Sequence, residues 1–343
     1  MEIKKPTEAK RHHYIPQFIL ANFSNENKQV WYWDIDKKKL CGRNTKSIFM
    51  NFNMYRDEIN NANNPTIIET HFSVFEREIA DLLREKFIDK SEIVITREEL
   101  EKLRIFMELL SFRSDSRMNQ YKQKNFTPST EELLSKYQSN RDFEDLWKKE
   151  LRVLVDCRSY EDIEKSDTVD PIIKLDFMNL INGYYMTVVD ARGGEFILSD
   201  IYPTLEVFPV APGINIHLHS FFPISPTRMI ILNHIMFKEL IANKDDPLLK
   251  TMIKSSRISG DLLKEPKPKY KVAYSVHTGS DTFTYKPVKV YENDLTYINT
   301  LILNEVRNGI MFRNKDKIIE SIHRFNKRDD TKTKHLEFEE TLL

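Results

Sequence analysis

The stretch Tyr184–Ser199, YYMTVVDARGGEFILS, decides the fold class. Tyr184–Asp190 and Glu195–Ser199 are rich in β-branched and aromatic side chains, which suit a pleated surface. Arg192-Gly193-Gly194 lies between them, and the pattern predicts a β-hairpin. Downstream, Asp200 to Pro203 breaks the strand. Ile214–Leu218 and Met229–Phe237 supply further strand-like runs around the turn Phe222-Pro223-Ile224-Ser225-Pro226. A helix is expected over about Asn293–Phe312, with Leu295, Ile298, Leu301, Ile302, Val306 and Ile310 as its apolar stripe. Upstream of Met178 the apolar period lengthens from two to between three and four. Ile68, Phe72, Phe75, Ile79, Leu82 and Leu83 mark a helix over Thr66–Phe87. Thr96 and Glu99 form a capping box for a second, running to about Gln123. Earlier still, a short helix at Gln17–Phe23 precedes a hairpin whose first strand carries Val30 to Ile35 and whose return begins at Leu40. Helices segregated from antiparallel strands make this an α+β protein. It has an N-terminal arm and β-hairpin, a helical middle, an antiparallel-rich sheet in the second half and a C-terminal helix.

The chain has 343 residues, enough for two compact units or one elaborated one. The reading favours a single domain over 1–323, with a charge-rich helical insertion at about 124–176 and a disordered tail from 324 to 343. The 52 basic and 52 acidic side chains argue against a wholesale nucleic-acid or membrane binder while allowing a local basic patch. Only 8 glycines are present, and neither G-x-G-x-x-G nor G-x-x-x-x-G-K-[ST] occurs, so no phosphate-cradling loop is expected. H-E-x-x-H, C-x-x-C and an EF-hand loop are absent too. Cys41 and Cys157 stand far apart, and no apolar leader or spanning segment is visible. A reduced, cytoplasmic protein is the expectation.

The opening residues carry a resemblance. Lys10, His13, Tyr14, Ile15, Pro16, Gln17, Phe18, Leu20 and Phe23 fit Lys-x-x-His-Tyr-[Ile/Val]-Pro-Gln-Phe-x-Leu-x-x-Phe, which resembles the signature of the DUF4238 family, proteins of unassigned function. The likeness continues through VWYWD and the turn near Tyr55 to Glu69 and Glu76, Arg113, Ser199-Asp200, Pro223–Pro226 and Asn304. It covers about residues 8 to 325. Two departures stand out. Arg113-Ser114-Asp115 replaces the family's Arg-Thr-Pro, and Ser199-Asp200-Ile201-Tyr202-Pro203 replaces Ser-Asp-Asn-Pro.

These positions supply the candidates. His13, fixed before Pro16, could act as a metal ligand, a general base near neutral pH or a structural cap, while His12 points the opposite way and is expected to be solvated. Glu69 and Glu76 lie two helical turns apart, so their carboxylates share one face. They could hold a cation or belong to an ordinary acidic face; if buried, they need Arg113. Asp200, at a strand end, could be catalytic, a metal ligand or a turn residue. Neither Arg228-x5-His234 nor Asp34-x-Asp36-x-Lys38 carries weight, the second reading as a charged hairpin turn.

Two readings follow. In one, His13, Arg113 and Asp200 act with Glu69, Glu76 and Asp200 as ligands of a divalent Mg or Mn, making a nuclease or nucleotide hydrolase. In the other, the same side chains form a buried network in a non-catalytic module, with the 124–176 block as a protein-partner surface.

Overall fold

The computed structural model describes residues 11–137, 142–211, 214–264 and 281–327. The chain opens with strand β1 (Arg11–His13) and helix α1 (Gln17–Asn22), then forms the expected hairpin from β2 (Gln29–Asp34) and β3 (Lys39–Asn44). β4 (Met50–Phe52) pairs antiparallel with β1, placing His13 opposite Met50. The long helix α2 (Ile67–Lys86) leads through β5 (Ile93–Thr96) to α3 (Arg97–Phe112), which begins with the predicted capping box. Helices α4 (Asp115–Lys122), α5 (Pro128–Tyr137), α6 (Phe143–Leu154), α7 (Tyr160–Glu164) and α8 (Pro171–Asn182) complete the helical middle.

The second half is built on five strands in the order β12-β6-β10-β9-β8. These are β6 (Tyr184–Ala191), β8 (Thr204–Ala211), β9 (Ile214–Pro223), β10 (Arg228–His234) and β12 (Val288–Val290). β7 (Leu198–Ser199) and β13 (Gly309–Phe312) extend the first hairpin into the sheet β3-β2-β13-β7. Helices α9 (Glu239–Ala242) and α10 (Pro247–Ser255) follow β10; β11 (Thr282–Tyr285) pairs with β5; α11 (Glu292–Glu305) and α12 (Ile319–Asn326) flank β13. Helices and mainly antiparallel sheets occur together, consistent with the α+β class.

Three expectations change. Tyr184–Ser199 is not a hairpin. β6 is saturated on both edges, by β10 antiparallel and β12 parallel, whereas β7 pairs with β13 in another sheet. Gly193, at φ 87°, turns the chain out of the first sheet instead of folding it back. The helix over Thr96–Gln123 is two helices: Arg113 leaves the ladder with ψ near 0°, and Ser114 caps α4 by accepting from Arg117 N at 3.2 Å. The C-terminal helix ends at Glu305, and Ile310 belongs to β13. A buried position satisfies both periods, so a stripe cannot say where helix gives way to strand.

The helical middle is not detached. Phe143, Leu146, Trp147 and Leu151 share one core with Phe72, Phe75 and Phe106, and Trp147 Nε1 donates to the Phe112 carbonyl at 2.9 Å. A second core lies between the sheets and α11, around Val189, Phe221, Ile298 and Ile310. Cys41 is half-buried, Cys157 is buried, and both are free thiols. Among the described residues no helix is long and apolar enough to cross a membrane. Lys10 and residues 328–343 lie outside the described residues; Arg324–Asn326 belong to α12.

Candidate functional site

Alternation along β1 sends His12 and His13 to opposite faces. The inward one is His12, contrary to the expectation of a solvated side chain. It is 1% exposed, its Nδ1 accepts from Tyr55 N at 2.8 Å, and its ring stacks on Tyr55 at 5.5 Å. Pairing of β1 with β4 fixes this choice, because that ribbon turns one face onto the core residue Tyr55. His13 is half-buried. Burial, with help from the Arg113 charge, lowers its imidazole to about 4, so it is neutral at pH 7. Its Nε2 is buried without a hydrogen-bond partner among the described residues.

Arg113 is the hub. Its side chain is 1% exposed because it leaves the end of α3 where α2, β1 and Tyr55 converge. Nη1 donates to Glu76 Oε1 at 2.6 Å, Nε to the Tyr55 hydroxyl at 3.2 Å, and Nη2 to the His13 carbonyl. The guanidinium lies 3.8 Å from the centre of the Phe72 ring, and the Tyr55 hydroxyl donates back to the Arg113 carbonyl at 2.9 Å. A planar fork serving three directions is something lysine cannot copy.

Glu69 and Glu76 do share a face of α2, but their states differ. Glu76 is ion-paired with Arg113 at 2.6 Å. Glu69 is raised to about 7 by burial, with Arg113 pulling it down and Glu76 pushing it up. Its Oε2 has no hydrogen-bond partner among the described residues. Asp200 does not join these two as a ligand set. It is buried, and its oxygens accept from the backbone of Arg307 and Asn308 at 3.0 Å each and from the Asn308 amide at 2.9 Å. It therefore pins the link between α11 and β13. Burial still pushes its carboxyl above the usual range despite those donors. Ser199 closes a local turn, with Oγ donating to the Ile201 carbonyl at 2.9 Å. Among the described residues no three His, Cys, Asp or Glu side chains are grouped to hold a metal ion. Glu69, Glu76 and Asp200 thus do not fit the shared metal centre expected of them.

Two further polar clusters escaped the sequence reading. Asn299 is fully buried on α11; it accepts from Ile197 N at 3.2 Å and donates to the Glu195 carbonyl at 2.9 Å and to Ser321 Oγ at 3.0 Å. Its position four residues after Leu295, inside the apolar stripe, was the available sign. His219 joins Asn233 Oδ1 at 2.8 Å through Nδ1 and Ser256 Oγ at 3.1 Å through Nε2. The outline is that of a serine nucleophile with its base. However, the ring is sealed from solvent and burial drives it to about 3, far from the neutral range a general base needs. Glu206, 3.8 Å from its Nε2, is likewise held above the usual range by burial. This cluster is a core network.

No curated protein and no solved structure is detectably similar to the chain. A family model does match, over residues 11–316, and its span takes in β1, the Arg113 hub and the Asp200 pin together. The chain belongs to the DUF4238 family, described as proteins of unknown function.

Proposed function

We propose that this chain is a non-catalytic binding module and that its motif side chains clamp the N-terminal arm onto the helices. One observation carries the reading. The Arg113 guanidinium is shut away from solvent with Nε, Nη1 and Nη2 each engaged, so it has no free face to offer a reacting phosphate. A satisfied buried network specifies structure; a catalytic arginine must reach substrate. The Asp200 carboxylate is spent on backbone amides in the same way.

A second reading, a phosphodiester hydrolase, is favoured by the unpartnered His13 Nε2 and Glu69 Oε2, which both feel the Arg113 charge. A carboxyl near 7 can give or take a proton at neutral pH. Magnesium or manganese would then depend on Glu69, with substrate oxygens and water supplying the remaining ligands. Incubation with labelled single- and double-stranded DNA and RNA in Mg²⁺ or Mn²⁺ separates the two. The module reading expects no cleavage beyond that of His13→Ala; metal-dependent cleavage lost in both His13→Ala and Glu69→Gln would replace it with the hydrolase.

A further inference from the structure

A cleft of about 310 Å³ opens between the start of α4 and the chain that follows Asp200. Its polar wall comes from the end of α3 and from α4: Ser111, Ser116 and Arg117. Both serines are half-buried, and neither hydroxyl has a partner among the described residues. Arg117 is steadied by Gln120 Oε1 at 2.9 Å and by the Phe112 ring at 5.8 Å. The facing wall is apolar, formed by Tyr202, Pro203 and Leu205. Arg307 enters from the link between α11 and β13. Its side chain is exposed and has no partner among the described residues, whereas its backbone N–H is held by Asp200 at 3.0 Å. Glu305 is the acidic residue on the lining, and the Arg117 charge also acts on the buried Glu108 carboxyl. The Asp115 carboxylate beside Ser116 is drawn away toward Asn51 and Asn119.

We propose that this cleft binds a small phosphomonoester with an apolar body. The phosphate sits between Arg117 and Arg307 and accepts from Ser111 and Ser116. The body lies on Tyr202, Pro203 and Leu205. Two arginines approaching from separate elements, with free hydroxyls between them, match a dianion with three terminal oxygens; one guanidinium fork already satisfies a carboxylate. The enclosed space is at the lower end for small-molecule sites and excludes a duplex or a folded partner. Hydrogen bonds hold both walls: the Ser114 hydroxyl caps the start of α4, and Asp200 holds the Arg307 N–H.

The test is calorimetric titration of the full chain with phenyl phosphate, beside inorganic phosphate and phenylacetate. Phenyl phosphate is expected to bind saturably and about tenfold or more tighter than either comparator. Arg307→Gln, at a side chain with no hydrogen-bond or ion-pair partner among the described residues, is expected to weaken it about tenfold, and Arg117→Gln likewise, as for loss of one charge-assisted bond. Absence of saturable phenyl phosphate binding overturns the proposal. So does phenylacetate binding equally well, or affinity unchanged in both arginine variants. These outcomes are independent of the clamp, which is read from stability and not from ligand titration.

Discussion

Replacing Glu69 by Gln gives a prediction whose sign is fixed by burial. The wild-type carboxyl stands at about 7 in the folded chain against 4.5 ordinarily. Between those values the folded state keeps a proton that the unfolded state has lost, so stability falls as pH rises through the window and stays lower above it. Full weight for 2.5 pKa units is about 3.5 kcal/mol at roughly 1.4 kcal/mol per unit. Because Glu69 is half-buried and close to the Arg113 charge, about 2 kcal/mol is the working figure. Gln cannot ionise. Urea unfolding of both proteins at about pH 4 and about pH 8 should therefore show the variant gaining about 2 kcal/mol on the wild type between the two conditions. The other groups titrate in both proteins and cancel in the difference. A gap that does not change with pH, or one that moves against the variant as pH rises, refutes the reasoning. Either result would mean that Arg113 holds Glu69 ionised in the fold.

Other outcomes follow from single contacts. Gly309→Ala places a Cβ about 2.5 Å from the Trp33 carbonyl and closer still to the Tyr32 hydroxyl, and should cost about 1–3 kcal/mol by thermal unfolding. Asp200→Asn turns an amide N–H₂ toward backbone N–H donors; a loss of about 1–3 kcal/mol is expected, with faster amide exchange at Arg307, Asn308 and Gly309. Asn299→Leu should cost a similar amount, because the Ile197 amide and Glu195 carbonyl lose their partner out of reach of water.

Sequence order conveyed the elements better than their pairing. Val30 to Ile35 alternated visibly, and Thr96 with Glu99 announced a helix start, so β2 and α3 were legible. The partner of β6 was not. Two β-rich runs around Gly-Gly look alike whether the chain folds back or crosses to another sheet, and the choice rests on β10 and β12, distant in sequence. The same limit reversed the two histidines. Period two separates His12 from His13, but only pairing with β4, three residues without a pattern, decides which one is inside. Glu69, Glu76 and Arg113 were found as a set. Their arrangement around a charge sealed from water was not readable, because burial is a property of the packed helices and not of the spacing. Ser111, Ser116 and Arg307 gave no sign in the sequence, since their common cleft exists only once α4 and the link before β13 are brought together.

The clamp is tested most directly by hydrogen exchange in Arg113→Lys, under conditions where the variant stays folded. Lysine can keep a charge near Glu76 but cannot also reach the Tyr55 hydroxyl and the His13 carbonyl. If Arg113 locks the arm, amides over Arg11–Phe23 should exchange about tenfold or more faster, while those of β6 and β10 keep their protection. Arm amides that remain as slow as in the wild type would contradict the account.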